Sequence, residues 1–299
     1  MNNKRSKKRL FINLMILAAF LMIAAYLTVD RAPSGVLEVS FIDVGQGDSS
    51  LIKTPGGSSL LIDGGEGEQY RKSVAPFLYS DSIWKVDAVM ASHYHSDHAG
   101  GIVKLLAAGK AKTLLIPDVD KDRDLKKELQ NTAKSHSISV VPVNAGKRIL
   151  LDDENVKLNV LFPSTKLFKN NDDNLNNDSI VLRLDYYGLS FLFTGDLESN
   201  AEQVLVNSGK LDTDVLKVGH HGSSTSSSAE FLDAVTPDYA IIEAGLHNKY
   251  NHPHREVMQR LKERNIRIFR TDKNGNITFY ADKNGIKDIL VSKTTTGSN

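Results

Sequence analysis

The segment Ser92-His93-Tyr94-His95-Ser96-Asp97-His98 carries three imidazoles and one carboxylate within six residues, from His93 to His98. It follows an apolar strand pattern at 86–91 and precedes a helix pattern at 98–108, so it lies on a loop at the C-terminal end of a strand. Side chains at this spacing can point towards one common centre only if the backbone turns between them. Neutral imidazoles together with a carboxylate suit zinc and similar divalent ions. We therefore predict a metal site on this loop.

The composition is that of a globular enzyme. The chain has 299 residues, of which 40% are hydrophobic and 24% are charged, so it can bury a sizeable core. It has no cysteine, which excludes disulfides, thiolate nucleophiles and cysteine-based zinc sites. Any metal must therefore be held by His, Asp or Glu.

The first thirty residues differ from the rest. Five cations between Lys4 and Arg9 precede an apolar run at 10–29, which is long enough to cross a bilayer. The positive flank predicts that the remainder of the chain faces outward. A signal peptide would have a shorter apolar stretch and a better cleavage site than 24–32 offers. We expect residues 1–30 to be an uncleaved membrane anchor and residues 31–299 to be one extracellular domain. If the N-terminal segment is cleaved instead, the domain would be secreted.

Charge argues against a generally basic nucleic-acid binder. Without residues 1–30, 32 basic side chains stand against 35 acidic ones, a net charge of −3. A polyanion would have to be held by a local patch or by the metals.

The patterns after the anchor predict a single α/β domain. Strand patterns at 36–44, 50–54 and 59–63 suggest an antiparallel meander, and strands then alternate with helices up to residue 143. Strand pairs at 148–162 and 180–194 open a second, similar half, which ends in a hairpin predicted around Asn274-Gly275. Two such halves fit two sheets packed face to face with helices outside.

Two later segments place polar side chains at strand ends in the same way. Asp196 follows a strand at 191–194, and His220-His221 follows a strand at 215–218. Because consecutive residues of an extended chain point to opposite sides, we expect one imidazole of the pair to face the site and the other to face away. The sequence does not decide which one binds metal; our prediction is His220.

These sequence motifs resemble those of a known protein family. The pattern H-x-H-x-D-H is similar to the signature of the metallo-β-lactamase superfamily. Five further segments resemble the hydrolase domain of ComEC-type DNA-uptake competence proteins. These segments are Phe41–Asp48, Leu61–Gly65, Thr194–Asp196, Leu216–Ser223 and Asn248–His254. The resemblance covers residues 36–282 and implies a four-layer αββα sandwich, here preceded by one transmembrane helix.

The resemblance also implies two divalent metal ions, usually zinc, with manganese as the alternative. His93 and His95 would hold the first ion, while Asp97, His98 and His220 would hold the second. Asp196 would bridge the two ions, and Asp97 and Asp196 would be the catalytic carboxylates. The residues predicted to contact the substrate or to hold the ligands in place are Asp43, Gln46, Asp48, Asp63, Asn177, Ser179, His221 and His252.

Two departures from the superfamily pattern concern the first ion. The superfamily usually supplies a further histidine before the bridging aspartate, yet no histidine occurs between His136 and His220. The stretch 176–179 occupies that place, so the first ion is held weakly or through an Asn or Asp oxygen. Conversely, many ComEC-type domains lack a histidine at the position of His95, which this chain has.

Two adjacent divalent ions activate a shared water and neutralise charge on the attacked and leaving oxygens, which suits phosphodiesters. We therefore predict a metal-dependent phosphodiesterase, a nuclease that acts on DNA at the outer face of the membrane. Lys217, Lys249 and Arg255 are expected at the rim of the site, where they would hold phosphates. Two alternatives stay open: a phosphodiesterase for cell-wall or choline-phosphate esters, and a non-catalytic binding domain of a competence apparatus.

Overall fold

The computed structural model describes residues 11–20, 35–164, 174–209 and 211–293. The chain separates into two compact units, Met1–Gly35 and Val36–Asn299. In the first unit, residues 11–20 form helix α1. Within the described ranges, no helix has the length and apolar character needed to span a bilayer. The remainder of the predicted anchor, 1–10 and 21–30, lies outside the described residues, and the anchor stays a prediction.

The second unit is built on two β-sheets. Its strands are β1 (Leu37–Phe41), β2 (Ser50–Lys53), β3 (Ser59–Ile62), β4 (Val86–Met90), β5 (Ala111–Pro117), β6 (Ser139–Val143), β7 (Arg148–Ile149), β8 (Lys157–Phe162), β9 (Val181–Tyr186), β10 (Leu189–Phe193), β11 (Val215–Lys217), β12 (Tyr239–Ile242), β13 (Arg267–Arg270), β14 (Ile277–Asp282) and β15 (Gly285–Val291). The first sheet has the order β15-β14-β1-β2-β3-β4-β5-β6 and the second has the order β13-β12-β11-β10-β9-β8-β7.

The helices of the second unit are α2 (Ala75–Ser80), α3 (Ser96–Ala107), α4 (Asp124–Ser135), α5 (Ser199–Ser208), α6 (Ala229–Val235), α7 (Arg255–Glu263) and α8 (Thr271–Asn274). Helices α2 to α7 connect parallel strands, and α8 lies between β13 and β14. A π-helical turn at Tyr70–Val74 precedes α2, and 3-10 turns occur at Asn176–Asp178 and Gly219–Gly222. β1, β2 and β3 are antiparallel, as the predicted meander requires, whereas β3 to β6 and β10 to β13 are parallel.

Alternation along each strand divides the apolar side chains between layers. In β3, Leu60 and Ile62 pack between the two sheets, while Leu61 packs towards the helices. In β10, Phe193 lies in the core between the two sheets, and Leu192 lies in the core between the second sheet and the helices that cover it. The second unit is therefore a four-layer sandwich, with α2, α3 and α4 covering the first sheet and α5, α6 and α7 covering the second.

The position of the last hairpin differs from the prediction. Asn274 ends α8, and Gly275 follows it with a φ of 65°. The hairpin turn lies instead between β14 and β15, where a second Asn-Gly pair occurs at Asn284-Gly285. Asn-Gly favours both a helix C-terminus and a hairpin turn, because both need a positive φ. The dipeptide alone could not distinguish the two.

Close backbone packing fixes the start of α3, which begins at Ser96 and so carries Asp97 and His98 in its first turn. Gly101 donates its N–H to the Gly65 carbonyl at 2.8 Å, and Gly64 donates to the His98 carbonyl at 2.8 Å. A β-carbon on Gly101 would lie 1.9 Å from the Gly64 carbonyl oxygen. Glycine at this position therefore lets the start of α3, which carries the candidate ligands Asp97 and His98, pack directly against the segment that follows β3.

We predict that Gly101→Ala lowers the free energy of unfolding by about 1–3 kcal/mol, because the added methyl group overpacks a backbone contact. Urea denaturation of the full chain measures this change. Gly67→Ala is the matched control, since a β-carbon there meets its nearest atom at an ordinary 3.5 Å. Equal effects of the two substitutions would contradict the role given to Gly101.

Candidate metal centre

The predicted ligands come from both sheets and meet at one edge of the sandwich. The loop at 92–98 follows β4 in the first sheet, whereas Asp196 follows β10 and His220-His221 follows β11 in the second sheet. β10 and β11 are parallel neighbours, so their C-terminal ends lie side by side. The site thus depends on how the two sheets face each other.

Two groups of side chains have the spacing of metal ligands. One consists of His93, His95 and Asp196, and the other of Asp48, His98, Asp196 and His221; within each group, the potential ligand atoms lie within 4.8 Å of one another. Asp196 belongs to both groups. Its Oδ1 lies 3.2 Å from His98 Nε2, and its Oδ2 lies 3.9 Å from His93 Nε2.

Hydrogen bonds at the far side of each ring orient the imidazoles. Nδ1 of His98 lies 2.9 Å from Asp63 Oδ2, and Nδ1 of His221 lies 2.9 Å from the carbonyl oxygen of Glu243. Each ring therefore has Nε2 left for a ligand, the arrangement that carboxylates and carbonyls impose on metal-binding histidines. Nδ1 of His93 is similarly placed, 3.1 Å from Ser92 Oγ.

The inward-facing atoms fit a cation. Nε2 of His98, Nε2 of His221 and Oδ1 of Asp196 are buried and have no hydrogen-bond partner in the described part of the chain. Most buried polar atoms in proteins are hydrogen-bonded, and imidazole nitrogens that converge with a carboxylate oxygen without such bonds are a usual environment of a bound metal ion. The donor set of nitrogen and carboxylate oxygen matches zinc.

Protons occupy part of the site when no cation is bound. Burial disfavours a charged His221, but Asp196 and Asp48 outweigh it and raise the pKa of His221 to about 10. The pKa of His98 is raised against burial by Asp196 and Asp48 as well, whereas burial and the neighbouring His98 hold the pKa of His93 well below its ordinary value. Metal binding must displace the protons of His98 and His221, so metal affinity rises with pH.

The structure brings both members of the His220-His221 pair towards Asp196, and the expected alternation of the two rings is wrong. Nε2 of His220 lies 3.7 Å and Nε2 of His221 lies 3.6 Å from Asp196 Oδ2. Both residues adopt left-handed conformations, with φ of 50° and 54°, which abolishes the alternation of an extended chain. His221 is buried and belongs to the second ligand group; His220 belongs to neither group and stays a predicted ligand.

Asp97 lies at the edge of the second group. Its Oδ2 is 3.4 Å from His221 Nε2, and it lines the pocket above the site. Burial opposes its charged form, but the neighbouring His221 and the charge of His98 outweigh burial and lower the pKa of Asp97. An ionised carboxylate therefore faces the pocket.

The sequence indicates Asn176 only as part of the stretch 176–179, in which Asn177 and Ser179 are the predicted site residues. The side chain of Asn176 is buried, its Nδ2 donates to Glu198 Oε1 at 3.1 Å, and its Oδ1 has no hydrogen-bond partner in the described residues. Nδ2 of Asn176 also lies 3.5 Å from His220 Nδ1, so the amide is next to the site. An unpartnered amide oxygen in the stretch 176–179 is the kind of group expected to replace the missing histidine.

The other predicted residues have separate places. Ser179 Oγ accepts from the Asp196 N–H at 3.1 Å, and Asn177 Oδ1 accepts from the Glu198 N–H at 3.1 Å, so both fix the loop that carries Asp196. Gln46 and His252 line the pocket. Asp43 lies outside the pocket lining and instead pairs with Lys293 at 2.6 Å.

Lys217 corrects a further expectation. Its side chain is 2% exposed, pairs with the Asp48 carboxylate, and donates to the Gly195 carbonyl at 3.0 Å, so it cannot hold a phosphate at the rim. Glu243 lies in the same buried cluster, where its Oε1 accepts from the Ser49 N–H at 3.0 Å. Burial and the nearby Asp48 raise the pKa of Glu243 to about 8. Charged residues inside apolar strand patterns were the available signal for this cluster.

A pocket of about 570 Å³ opens above the ligands. Its lining combines site residues with Glu66, which follows β3, and with one loop of the second sheet; it consists of Gln46, Glu66, His95, Ser96, Asp97, Asp196, His220, His221, Asn248, Lys249, Tyr250 and His252. The candidate metal centre is therefore open to ligands from solution.

Glu243 predicts a pH dependence of stability in the metal-free protein. Its pKa is raised in the folded state, so the folded protein binds the extra proton and loses stability as pH rises from about 4.5 to about 8. We expect Glu243→Gln, which stays neutral, to gain about 1 kcal/mol or more relative to the parent chain between pH 5 and pH 8. Urea denaturation in EDTA at both pH values measures the difference, and a constant difference would contradict the assignment.

The geometry also predicts unequal roles for the paired histidines. We expect His221→Ala to lower zinc affinity at least tenfold, because it removes a buried member of the second ligand group. His220→Ala should lower it less, since His220 is outside both groups. Competition with a chromophoric chelator measures both affinities; a larger loss for His220→Ala would reverse the assignment.

Comparison with known proteins places this site in a family. The family model described as the metallo-beta-lactamase superfamily matches residues 42–245. The chain is 35% identical over 271 residues to ComE operon protein 3 of Bacillus subtilis (strain 168), covering 85% of this chain and 34% of that protein. It is 34% identical over 273 residues to competence protein ComA of Neisseria gonorrhoeae, covering 90% and 36%. The chain thus spans about a third of the length of these relatives.

The fold is also found in a solved structure. The metallo-beta-lactamase fold protein YhfI from Bacillus subtilis superimposes with a TM-score of 0.57 at 13% identity, over 82% of this chain and 100% of that chain. This likeness concerns the fold alone. The predicted resemblance to ComEC-type competence proteins is confirmed by the sequence relatives. With two sheets, a buried His/Asp cluster at their shared edge and a matching family model, the chain belongs to the metallo-β-lactamase superfamily.

Proposed function

We propose that this chain is a metal-dependent phosphodiesterase that cleaves nucleic acid, with DNA as its substrate. The observation that carries the proposal is the pair of ligand groups that share Asp196 beneath an open pocket. Two divalent ions, when bound, would supply water activation and charge neutralisation for an in-line displacement at phosphorus. Zinc suits the donor set best, and manganese is the alternative.

The residues of the chain have distinct tasks in this proposal. Asp97 is ionised and faces the pocket, so it would accept a hydrogen bond from the attacking water and orient it. Asp63 and the Glu243 carbonyl hold His98 and His221 in the orientation that presents Nε2. Lys249 lines the pocket and supplies a positive charge for a phosphate outside the ligand groups.

The relatives support nucleic acid as the substrate. Both are competence or ComE operon proteins by name, and each aligns with nearly the whole of this chain. The net charge of −3 after residue 30 fits a short contact with the strand rather than a long basic footprint. We further propose that residues 1–30 anchor the domain, which would then act at the outer face of the membrane.

The test is cleavage of labelled DNA by the metal-loaded full chain, with Asp196→Ala as the decisive variant. We expect Asp196→Ala to lose at least 100-fold in kcat/KM, because it removes the ligand common to both groups. Asp233→Ala is the matched control, since this exposed carboxylate pairs with Arg264 on the surface. Full metal occupancy without cleavage of any phosphodiester would leave the non-catalytic binding domain as the better interpretation.

A second substrate class has one observation in its favour. Glu66 and Tyr250 both line the pocket, and a carboxylate with an aromatic ring suits the quaternary ammonium of a choline-phosphate ester. Assays on choline-phosphate esters beside DNA decide between the two. Turnover of the choline ester with no cleavage of DNA would replace the proposed nuclease by a cell-wall phosphodiesterase.

A further inference from the structure

We propose that Tyr250 and Lys249 form a binding platform for a single-stranded nucleic acid, on which one base stacks while the adjacent phosphate contacts the lysine. The proposal rests on the proposed nuclease function and names the residues that select its substrate. It starts from the position of both residues in the lining of the pocket above the ligand groups.

The loop that carries these residues is fixed by one side chain. Asn248 donates from Nδ2 to the carbonyls of Gly245 and His252, at 2.9 and 2.7 Å. Its Oδ1 accepts from the N–H groups of Tyr250 and His252, at 3.1 and 3.0 Å. A loop bound at both ends through one amide keeps its shape, so little ordering entropy is lost when a ligand binds.

Tyr250 is held outward at the pocket. Its side chain is 48% exposed, although an aromatic ring is stabilised by burial. The ring stacks on His252, with centroids 5.6 Å apart and an interplanar angle of 22°. A supported and half-exposed ring beside the candidate metal centre offers the kind of aromatic face on which single-stranded nucleic acids stack their bases.

The position of Lys249 favours a nucleic-acid base over a quaternary ammonium group as the ligand that lies on the Tyr250 ring. The Nζ atom of Lys249 lies 4.9 Å from the centre of that ring, so a cation already occupies the position that a choline group would take. A stacked base displaces the ammonium group towards the phosphate beside that base, where the two opposite charges pair. The same displacement by choline would bring two cations together. The charge of Lys249 therefore favours a nucleotide.

Stacking on Tyr250 requires an unpaired base. Bases inside a duplex stack on each other and do not offer a free face, so the platform selects single strands or frayed ends. The phosphate next to the stacked base then lies at the pocket. The platform would thus set which phosphodiester reaches the metal centre.

The experiment uses the zinc-loaded full chain and a fluorescent single-stranded phosphorothioate oligonucleotide, which resists cleavage. We expect Tyr250→Ala to weaken binding about tenfold and Tyr250→Phe to leave it within about twofold, since the phenyl ring still stacks. An abasic strand with the same backbone should bind both variants equally. Leu246→Ala is the control for the loop, because Leu246 is 66% exposed and lies outside the pocket lining.

Lys249→Met has a different expected signature. It should reduce the slope of log affinity against log salt by about 0.7 for both strands, the change expected for one lost phosphate contact on a single strand. An unchanged affinity of Tyr250→Ala for the base-containing strand, or an equal loss for the abasic strand, would overturn the platform. Absence of DNA cleavage by the parent chain is a separate result that refutes the nuclease while leaving the binding measurements interpretable.

Discussion

The carboxylate of Asp196 is the constraint on which the site depends. It is the residue common to both ligand groups, and it approaches His93 and His98 from the first sheet and His221 from the second. A metal–nitrogen bond of about 2 Å leaves little room for error, so the two sheets must face each other in one relative position. The aromatic and aliphatic core between the sheets, which includes Phe41 and Phe193 stacked at 5.9 Å, supplies that position.

Burying the charged side chains of this site is energetically unfavourable unless opposite charges lie beside them. The carboxylates of Asp48, Asp63 and Asp196 are almost fully buried, and all three lie close to the imidazole of His98. Lys217, beneath the site, neutralises Asp48, and protonated His98 and His221 neutralise part of the rest. Unpaired charges in such surroundings cost several kcal/mol each, so Lys217 offsets part of the cost of burying these carboxylates. A metal ion, when bound, would displace the protons of His98 and His221.

The architecture and most of the site could be predicted because their signals are local. Alternation of apolar residues gives the strands, and loops at strand C-termini give His93, His95, His98 and Asp196. The choice between His220 and His221 could not be predicted, since it depends on left-handed backbone angles at both positions. Lys217 was misplaced for another reason: its partner Asp48 lies far away in the sequence, and only the packed sheets bring the two together. The sequence points to the stretch 176–179 but does not distinguish Asn176 within it, because one asparagine among many in a polar loop carries no distinguishing pattern.

The backbone at His220-His221 has an energetic consequence. Two successive residues with a β-carbon and a positive φ are a strained choice that glycine or asparagine would relieve. This strained turn is what brings both imidazoles towards Asp196, whereas an extended chain would direct one of them away. The local geometry of the candidate site therefore lowers the stability of the fold, and the tightly packed strands around it hold the unfavourable backbone angles in place.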